Sequence, residues 1–372
     1  MNAHPQTTIL RWSRFAPDPY GSGGEKRTVQ LTELLEDCGI ATNVMRPPAA
    51  LPRLRTWWAG FRSRLRHGSN ASVDGAGIGL LGYRTLFYRR ALAEHTGARV
   101  LWWETTYDDI LPDLARAAGY RVIAVPHNLE SLVSDRVFRG VTHDRSAALG
   151  AEVQRLARAD AVFTISREER WFLESQGIKA DYLPFYVPRA IAADCARVRA
   201  ARATRANTSP TTRGPVVLLG SAFNPATERG MRRQLEHLAA SSAFSSTEIV
   251  IAGRDTERFF GSLRGDRIRV AGTLDQPRLE ELMVEAAALL VHTEGGAGAL
   301  TRIPEALAAG VPIIANANAA RDQYGTPGVY VYETGEELNA LVRARLPMPP
   351  APPKPEAAEQ RLVAVVRELA AR

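Results

Sequence analysis

The amino-acid sequence predicts an α/β protein of two Rossmann-like domains, each a doubly wound parallel sheet covered by helices. Short apolar runs of strand length alternate with helical stretches, which is typical of parallel sheets with helices on both faces. The alternation stops over residues 189–213 and restarts at about Gly214. The length of 372 residues suits two hydrophobic cores better than one. Two such domains facing each other would hold a ligand in the cleft at the carboxyl ends of their strands.

The first predicted domain, residues 1–188, contains six apolar runs of strand length. They predict strands at Thr8–Trp12, Ile40–Met45, Arg99–Trp103, Arg121–Val125, Ala161–Ile165 and Asp181–Leu183. Apolar residues at helical spacing predict helices that include Glu25–Cys38, Tyr83–Glu94, Asp144–Ala157 and Glu168–Ser175. We expect this domain to lie on the acceptor side of the cleft.

The second predicted domain, residues 214–346, repeats the pattern. Its predicted strands are Val216–Leu219, Glu248–Ala252, Arg267–Val270 and Ala288–Val291, and its helices include Met231–Ala239 and Arg278–Ala286. Residues 189–213, rich in Ala, Arg, Thr and Ser, fit either an interdomain linker or a helix followed by a linker. The proline-rich start of residues 347–372 leads to an amphipathic helix at about Glu356–Ala370, which we expect to pack back on the first domain.

Composition narrows the class of protein. The chain is 45% hydrophobic and 23% charged, as is usual for a soluble protein. Its two cysteines, Cys38 and Cys195, are far apart and indicate neither a disulfide framework nor a zinc site. Met1–Thr8 lacks the pattern of a secretory signal, and no apolar stretch approaches the roughly 20 residues that span a bilayer. We therefore expect a cytoplasmic protein.

A basic segment stands out between Arg46 and Arg90, where nine arginines face one acid, Asp74. Within Arg53–Arg66, apolar residues recur at helical spacing with arginines between them: Leu54, Trp57, Trp58, Phe61 and Leu65. Such a helix can lie in a membrane interface and meet anionic headgroups, so we expect peripheral attachment to the inner face of the cell membrane. Nucleic acid is the other polyanion that a basic patch can bind, and we do not expect it here. A core-packed helix with a solvated basic face also remains open, because the chain has only three lysines and favours arginine throughout.

The stretch from His292 to Ala315 predicts a ligand site. It reads as a strand end, a glycine loop, a short helix at Arg302–Ala309, a turn at Gly310 and a second buried strand. A glycine loop that feeds a helix N-terminus presents N–H groups and the positive end of the helix dipole to a phosphate. Glu305, one turn into the helix, can accept hydrogen bonds from sugar hydroxyls. The stretch therefore predicts a ligand that carries both phosphate and sugar.

Further motifs accompany this stretch along the chain. They are Gly21–Arg27, Pro126–Ser131, Ala159–Ser166, Gly220–Pro225, Ile249–Gly253 and Val270–Leu274. With these motifs, the chain resembles the retaining GT-B glycosyltransferases of the large family usually called family four. The resemblance covers roughly Ile9 to Val342 and is strongest after Gly214.

The resemblance implies roles for individual residues. Arg302 would hold the diphosphate, Glu305 the ribose hydroxyls and His127 the donor sugar near the reacting carbon. The other donor-binding positions that it implies are Gly23, Gly24, Ser221, Arg229, Thr273, Leu274, Glu294, Gly296, Ala297, Gly298 and Thr301. Arg229 would lie in the first turn of its helix. The positive charge of Arg302 would stabilise the leaving nucleoside diphosphate as the glycosidic bond breaks.

Three departures from the family pattern leave an alternative open. Ala297 stands where the family has its first glutamate, eight positions before Glu305, and Glu294 is the candidate to replace it. Ser221 stands where an arginine is usual, and Phe185-Tyr186 where Asn-Gly is common. The alternative is a GT-B scaffold without catalysis that acts as a glycan-binding or assembly partner.

The function that the resemblance implies is retaining transfer of a sugar from a nucleotide-diphosphate sugar to a glycan or lipid-linked acceptor. Such a reaction belongs to cell-surface polysaccharide or glycoconjugate biosynthesis. The acceptor hydroxyl would attack the face that the leaving group departs from, with the diphosphate assisting proton removal. We expect no cofactor and no metal, because the sequence has neither an Asp-x-Asp signature near a strand end nor a His/Cys cluster. An NAD-linked enzyme is disfavoured because Gly21–Gly24 lacks the G-x-G-x-x-G spacing.

Overall fold

The structure is a computed structural model that divides into two compact units. It describes residues 7–48, 51–67, 77–106, 110–133, 145–208, 213–240, 247–263 and 265–372. The first unit comprises Met1–Phe185, Ala297–Ala299 and Pro355–Arg372, and the second comprises Tyr186–Gly296 and Leu300–Lys354. Parts of four sequence predictions lie outside the described residues: residues 1–6 of the N-terminal segment, Asp74, Asp144 and residues 209–212.

The first unit is built on one parallel sheet of six strands, in the order β2-β1-β3-β4-β5-β6. The strands are β1 Thr8–Trp12, β2 Ala41–Val44, β3 Val100–Trp103, β4 Arg121–Ala124, β5 Ala161–Thr164 and β6 Asp181–Tyr182. Its helices are α1 Gly23–Asp37, α2 Arg53–His67, α3 Ile78–Glu94, α4 Leu111–Ala117, α5 Arg145–Leu156, α6 Arg167–Ser175 and, from the end of the chain, α14 Glu356–Ala371. Each strand predicted in this half is present, most of them one or two residues shorter.

Alternate residues of the central strands enter two cores, one on each face of the sheet. Leu101 and Trp103 of β3 face a core that includes Phe87 of α3. Trp102 faces a second core, to which α14 contributes Leu362. Burial on both faces explains why these strands read as continuous apolar runs in the sequence.

Helices α2 and α3 contact each other backbone to backbone. A Cβ built on Gly82 would lie 1.6 Å from the Thr56 carbonyl oxygen, and one on Gly60 would lie 1.8 Å from the Ile78 carbonyl oxygen. Only glycine fits at either position, because any side chain would displace the neighbouring helix. The two helices, called the α2–α3 hairpin below, are therefore one packed element.

The second unit has its own six-stranded parallel sheet, in the order β12-β11-β10-β7-β8-β9. The strands are β7 Val216–Leu219, β8 Ile249–Ala252, β9 Ile268–Gly272, β10 Ala288–Val291, β11 Ile313–Asn316 and β12 Val329–Tyr332. The helices are α7 Arg189–Thr208, α8 Pro225–Ala239, α9 Thr256–Phe260, α10 Gln276–Glu285, α11 Arg302–Ala308, α12 Ala317–Ala320 and α13 Gly335–Arg343. Two parallel sheets with flanking helices confirm the predicted fold class.

Residues 189–208 form α7 and are part of the second unit, so this stretch is a helix and not a linker. Ile191, Cys195 and Val198 recur at helical spacing and pack into a core of that unit. The guanidinium of Arg202 donates to the backbone carbonyls of residues 283, 284, 286 and 310. These contacts bind α7 to α10 and to the turn after α11.

Helix α8 begins at Pro225, six residues before its predicted start at Met231. The Asn224 side chain accepts a hydrogen bond from the Ala226 N–H at 3.0 Å, and proline suits the first helical position. The early start places Arg229 in the second turn of the helix and corrects the prediction that it lies in the first turn.

In the described ranges, no helix is both long enough and apolar enough to cross a membrane.

The backbone contact inside the α2–α3 hairpin predicts opposite effects for two glycine-to-alanine changes in α3. Gly82→Ala should lower the free energy of unfolding by about 1–3 kcal/mol, because the new methyl group overlaps the Thr56 carbonyl. Gly79→Ala is the matched control, since a Cβ there meets no atom within 4 Å. It should raise stability by up to about 1 kcal/mol through helix propensity. Urea unfolding followed by circular dichroism measures both, and equal effects would refute the close packing.

Candidate functional site

In each sheet, the candidate residues gather where strand order reverses. Chain connection reverses direction between β1 and β3 in the first sheet and between β7 and β10 in the second. Ligands of doubly wound sheets bind outside the carboxyl ends of the strands at this switch point.

Glu104 directly follows β3 at the switch point of the first sheet and is completely buried. Its carboxylate accepts hydrogen bonds from Arg11 Nε at 2.5 Å and Trp102 Nε1 at 2.9 Å. It also accepts from Thr28 Oγ1 at 3.2 Å, and His127 Nε2 lies at 3.3 Å. Burial opposes ionisation of this carboxyl, but the Arg11 charge and the His127 hydrogen bond outweigh it and lower the pKa to about 2. The sequence prediction gave Glu104 no role.

His127, the predicted donor-sugar residue, follows β4 and is 3% exposed. Its backbone N–H donates to the Glu104 carbonyl at 3.1 Å, and the Phe15 ring stacks on the imidazole with centroids 5.1 Å apart. Burial lowers the pKa of His127, against the opposing effect of Glu104, so the ring is neutral at neutral pH. Because ionised Glu104 only accepts hydrogen bonds, Nε2 carries the proton and Nδ1 is left as an acceptor. Nδ1 has no hydrogen-bond partner among the described residues.

Gly23 and Gly24 begin α1 after the Ser22 cap. A Cβ on Gly24 would lie 2.8 Å from the Phe15 ring, the same ring that stacks on His127. The structure therefore gives Gly24 a packing function beside the histidine. The predicted approach of both glycines to a ligand stays a prediction.

Two buried carboxylates hold the loop that follows His127. Glu152 of α5 accepts hydrogen bonds from the backbone N–H groups of Glu130 and Ser131, at 2.8 and 3.0 Å. Glu169 of α6 accepts from the Leu129 N–H at 2.7 Å and from the Gly298 N–H at 2.9 Å. Residues 297–299 belong to the first unit, so this contact with Gly298 lies within that unit. Its φ of 72° and its closeness to the Asn128 side chain, 1.8 Å from a built Cβ, both require glycine.

Arg302 opens α11 at the switch point of the second sheet. Its Nη1 donates to the Leu219 carbonyl at the end of β7 at 3.3 Å, and a Cβ on Gly220 would lie 2.4 Å from Nη1. Its buried Nε has no hydrogen-bond partner in the described parts of the chain. Burial lowers the pKa of Arg302 to about 10, and the charge of Arg321 adds to the effect. The guanidinium is thus a poorly solvated cation with donor capacity left over.

Arg321 is a candidate that the sequence prediction missed. It begins a 3₁₀ turn after α12, and its Nη1 donates to the Asn318 carbonyl at 2.7 Å. Its Nη2 lies 3.7 Å from the position of a Cβ on Gly296. The positive charges of Arg302 and Arg321 repel each other, and an anion bound between them would be attracted to both. Arg302 and Arg321 together therefore form a candidate anion site beside the glycine loop.

The glycine loop after β10 is held by one side chain of β11. Asn316 accepts from the Thr293 N–H at 3.1 Å and donates to the Thr293 carbonyl at 2.9 Å. Gly295 and Gly296 have φ angles of 86° and 108°, which favour glycine as the sequence predicted. Glu294 is exposed, with its carboxylate 3.9 Å from His292 Nε2.

The short helix α11 differs from the predicted phosphate seat. The Ile303 N–H in its first turn donates to the Leu300 carbonyl at 3.0 Å, so this group is not available to a ligand. Glu305 is partly buried one turn into α11, as predicted, and Thr301 precedes the helix.

Among the remaining predicted donor-binding residues, Arg229 is exposed in the second turn of α8. Ser221 follows Gly220 after β7, and exposed Thr273 follows β9. Leu274 packs against a core of the second unit. Ala297 belongs to the first unit. Around the described residues, no group of three or more His, Cys, Asp or Glu side chains could hold a metal ion.

Known structures show which fold this is. Neither a protein-family model nor a curated protein sequence matches the chain. The chain is similar to sucrose-phosphate synthase of Thermosynechococcus elongatus, with 16% identity, a TM-score of 0.57 and cover of 98% of this chain and 99% of that one. It is similar to Anabaena HepE in complex with UDP-glucose, with 12% identity, a TM-score of 0.57 and cover of 98% of both chains. The chain has the GT-B fold.

A third similar structure is an enzyme of a different reaction, so the fold alone does not determine the function. It is the UDP-GlcNAc 2-epimerase of Methanocaldococcus jannaschii in complex with UDP-GlcNAc and UDP, with 14% identity, a TM-score of 0.52 and cover of 97% of this chain and 99% of that one. A synthase and an epimerase thus share the architecture. At these identities the likeness establishes the fold, and function has to be argued from the residues.

The buried Glu104 predicts a pH-dependent loss of stability. Glu104→Gln should lower the free energy of unfolding at pH 7 by about 3–5 kcal/mol, because it leaves the buried Arg11 charge unpaired. The pKa of Glu104 falls from the usual 4.5 to about 2 on folding, so its contribution is full above pH 4.5 and is lost as the pH falls towards 2. The gap between variant and wild type should therefore narrow over that range in urea unfolding.

The matched control for Glu104 is Glu94→Gln, which breaks an exposed pair with Arg90. It should change stability by less than about 1 kcal/mol. A pH-independent gap for Glu104→Gln would contradict the ionised state of the carboxyl.

Proposed function

We propose that the protein is a glycosyltransferase that takes a sugar from a nucleoside diphosphate sugar. The observation that carries the proposal is the poorly solvated Arg302 guanidinium, with an unpartnered Nε among the described residues, at the switch point of the second sheet. A diphosphate would supply the acceptors that the guanidinium lacks, and Arg321 adds a second charge. Anabaena HepE, which has the same fold, binds UDP-glucose.

The proposed chemistry assigns these groups to the leaving diphosphate. Negative charge develops on the diphosphate as the glycosidic bond breaks, and fixed cations in a dry site stabilise that charge without reorganising. We propose that Glu305, in the first turn of α11, accepts hydrogen bonds from the ribose hydroxyls. In the first unit, the lone pair of His127 Nδ1 suits a hydroxyl of the donor sugar. We propose that configuration is retained and that the diphosphate assists removal of the acceptor proton.

A catalytically inactive scaffold is the second candidate. Ala297 in place of the family glutamate and Ser221 in place of the arginine favour it. The scaffold predicts that a glycan binds without a nucleotide, and only the transferase predicts that a sugar is transferred. Incubation with nucleotide sugars and glycans, followed by NMR, separates them: transfer with an unchanged anomeric configuration supports the transferase, and binding of a glycan but no nucleotide supports the scaffold.

We also propose that the acceptor is lipid-linked or a glycan at a membrane, and that the protein attaches to the cytoplasmic face of the membrane through α2. Trp57, Trp58 and Leu65 of α2 are 52%, 58% and 72% exposed, and Leu54 is 79% exposed. The rings of Trp57, Trp58 and Phe61 contact one another, so the apolar face is preformed. Arginines flank this face and suit anionic headgroups.

Removal of the Arg302 charge should weaken nucleotide binding. Calorimetric titration with UDP, GDP and dTDP should find one that binds, and Arg302→Gln should weaken its binding roughly 10- to 100-fold, because charge-assisted hydrogen bonds are lost. The control is Arg269→Gln, which removes the same charge from an exposed pair with Glu248 and should change the affinity less than about twofold. The proposal fails if no diphosphate binds, or if Arg302→Gln binds as the wild type does.

The aromatic face of α2 should govern membrane attachment. The double variant Trp57→Ala/Trp58→Ala should lower the fraction of protein that sediments with phosphatidylglycerol vesicles about tenfold, since two interfacial rings are lost. Trp171→Ala is the matched control, because Trp171 of α6 is as exposed, at 56%, but lies outside α2. Unchanged sedimentation of the double variant, or an equal loss with Trp171→Ala, would remove α2 from the attachment.

A further inference from the structure

A pocket lined by arginines lies beside the α2–α3 hairpin, within the first unit. Four arginines line it, three from α2 and one from α3: Arg55, Arg62, Arg66 and Arg89. Its volume is about 660 Å³, and its lining contains no acidic residue. Apolar side chains complete the wall, with Trp58 on one side and Leu114 of α4 on another. The pocket therefore concentrates positive charge at a partly apolar surface.

The four guanidinium groups make no ion pair or hydrogen bond with another described residue. Like charges around one pocket repel, and this repulsion weakens only if water, salt or a bound anion screens it. Arginine presents a planar fork of N–H donors that matches the oxygens of a phosphate group. The four side chains could thus surround one phosphate.

Ser63 supplies a second, independent observation. It is 6% exposed and lines the same pocket, and its Oγ has no hydrogen-bond partner in the described part of the chain. A buried hydroxyl without a partner is unfavourable, and native proteins rarely keep one without a ligand or water. Its neighbour Thr85 differs, since its hydroxyl donates to the Leu81 carbonyl at 2.7 Å. Ser63 is therefore a donor left over for a ligand.

Several arginines that line two other pockets have partners, so an arginine-rich composition does not by itself produce a pocket in which every arginine is unpaired among the described residues. In one of them, Arg202 and Arg213 donate to backbone carbonyls. In the other, Arg116 and Arg121 face Asp160, and Arg372 pairs with Glu368. The α2–α3 pocket differs in having both unpaired arginines and an unpaired buried hydroxyl.

We propose that this pocket binds a phosphate group, with the arginines as its charge partners and Ser63 Oγ as a hydrogen-bond donor. The phosphate belongs either to a lipid headgroup or to a small soluble phosphate ester, and both present the same oxygens. The site is independent of the proposed transferase activity, because it uses no residue of the two switch points. It adds headgroup recognition to the aromatic face on the same helix.

The test uses the full chain and two double variants of α2 with the same change in charge. Arg62→Gln/Arg66→Gln removes two pocket arginines, whereas Arg53→Gln/Arg64→Gln removes two that do not line the pocket. Calorimetry with glycerol 3-phosphate measures the soluble source, and sedimentation with phosphatidylglycerol vesicles measures the headgroup source. Both variants keep Arg302, so any binding in the second unit is common to them.

We expect the pocket variant to bind at least tenfold more weakly than its control in one or both arms, because the general attraction of two arginines to an anionic surface is lost equally in both variants. If the pocket variant loses binding to glycerol 3-phosphate, the pocket binds a soluble phosphate ester. If it loses binding to the vesicles alone, the pocket binds the phosphate of a lipid headgroup. Equal losses in the two variants would show diffuse charge attraction and overturn the site. Absence of binding to both probes would overturn it as well.

Ser63→Ala tests the hydroxyl without changing charge. Affinity for the probe that binds should fall about three- to tenfold, while the thermal midpoint without probe should stay the same or rise, because an unpartnered buried hydroxyl is removed. A purely structural serine would give the reverse, a lower midpoint with unchanged affinity, and that result would overturn its role as a ligand.

Discussion

The first unit depends on one buried carboxylate. Glu104 joins Arg11 of β1, Thr28 of α1 and His127 after β4 at a single point. A buried charge is tolerated only when it is paired and its remaining lone pairs accept hydrogen bonds, and Glu104 meets both conditions. The hydrogen bond from Thr28 holds α1, which begins at Gly23, against this carboxylate, and the hydrogen bond from Nε2 orients the His127 imidazole.

The same carboxylate decides the chemistry of His127. An ionised partner at Nε2 fixes the tautomer, while burial keeps the ring uncharged. A neutral ring offers a ligand one acceptor and no charge, which suits a sugar hydroxyl better than a phosphate. In the proposed transferase, Arg302 and Arg321 of the second unit would supply the charge for a diphosphate, and His127 of the first unit would supply a neutral polar contact.

The strands were predictable because helices cover both faces of each sheet. Val100–Trp103 and Ile249–Ala252 are buried throughout and read as apolar runs. Helix α7 was harder to predict, because its many alanines and arginines obscure the few residues that pack, so the sequence predicted either a linker or a helix followed by a linker. Arg302 and Glu305 were predictable as candidates because their motif is local in the sequence. Glu104 was missed because its partner Arg11 is 93 residues away, and Arg321 because nothing in a short turn marks it as a neighbour of Arg302. Contacts between distant parts of a chain cannot be read from spacing.

The two glycines of the α2–α3 hairpin have a consequence for ancestry. Gly60 and Gly82 each face the backbone of the opposite helix, so a mutation at either one is not compensated by a change of side chain at the other. A related protein that keeps these two helices in contact would therefore need to keep both glycines. The pair is therefore a sequence marker for this helix packing, because a chain that keeps the two helices in this contact needs glycine at both positions.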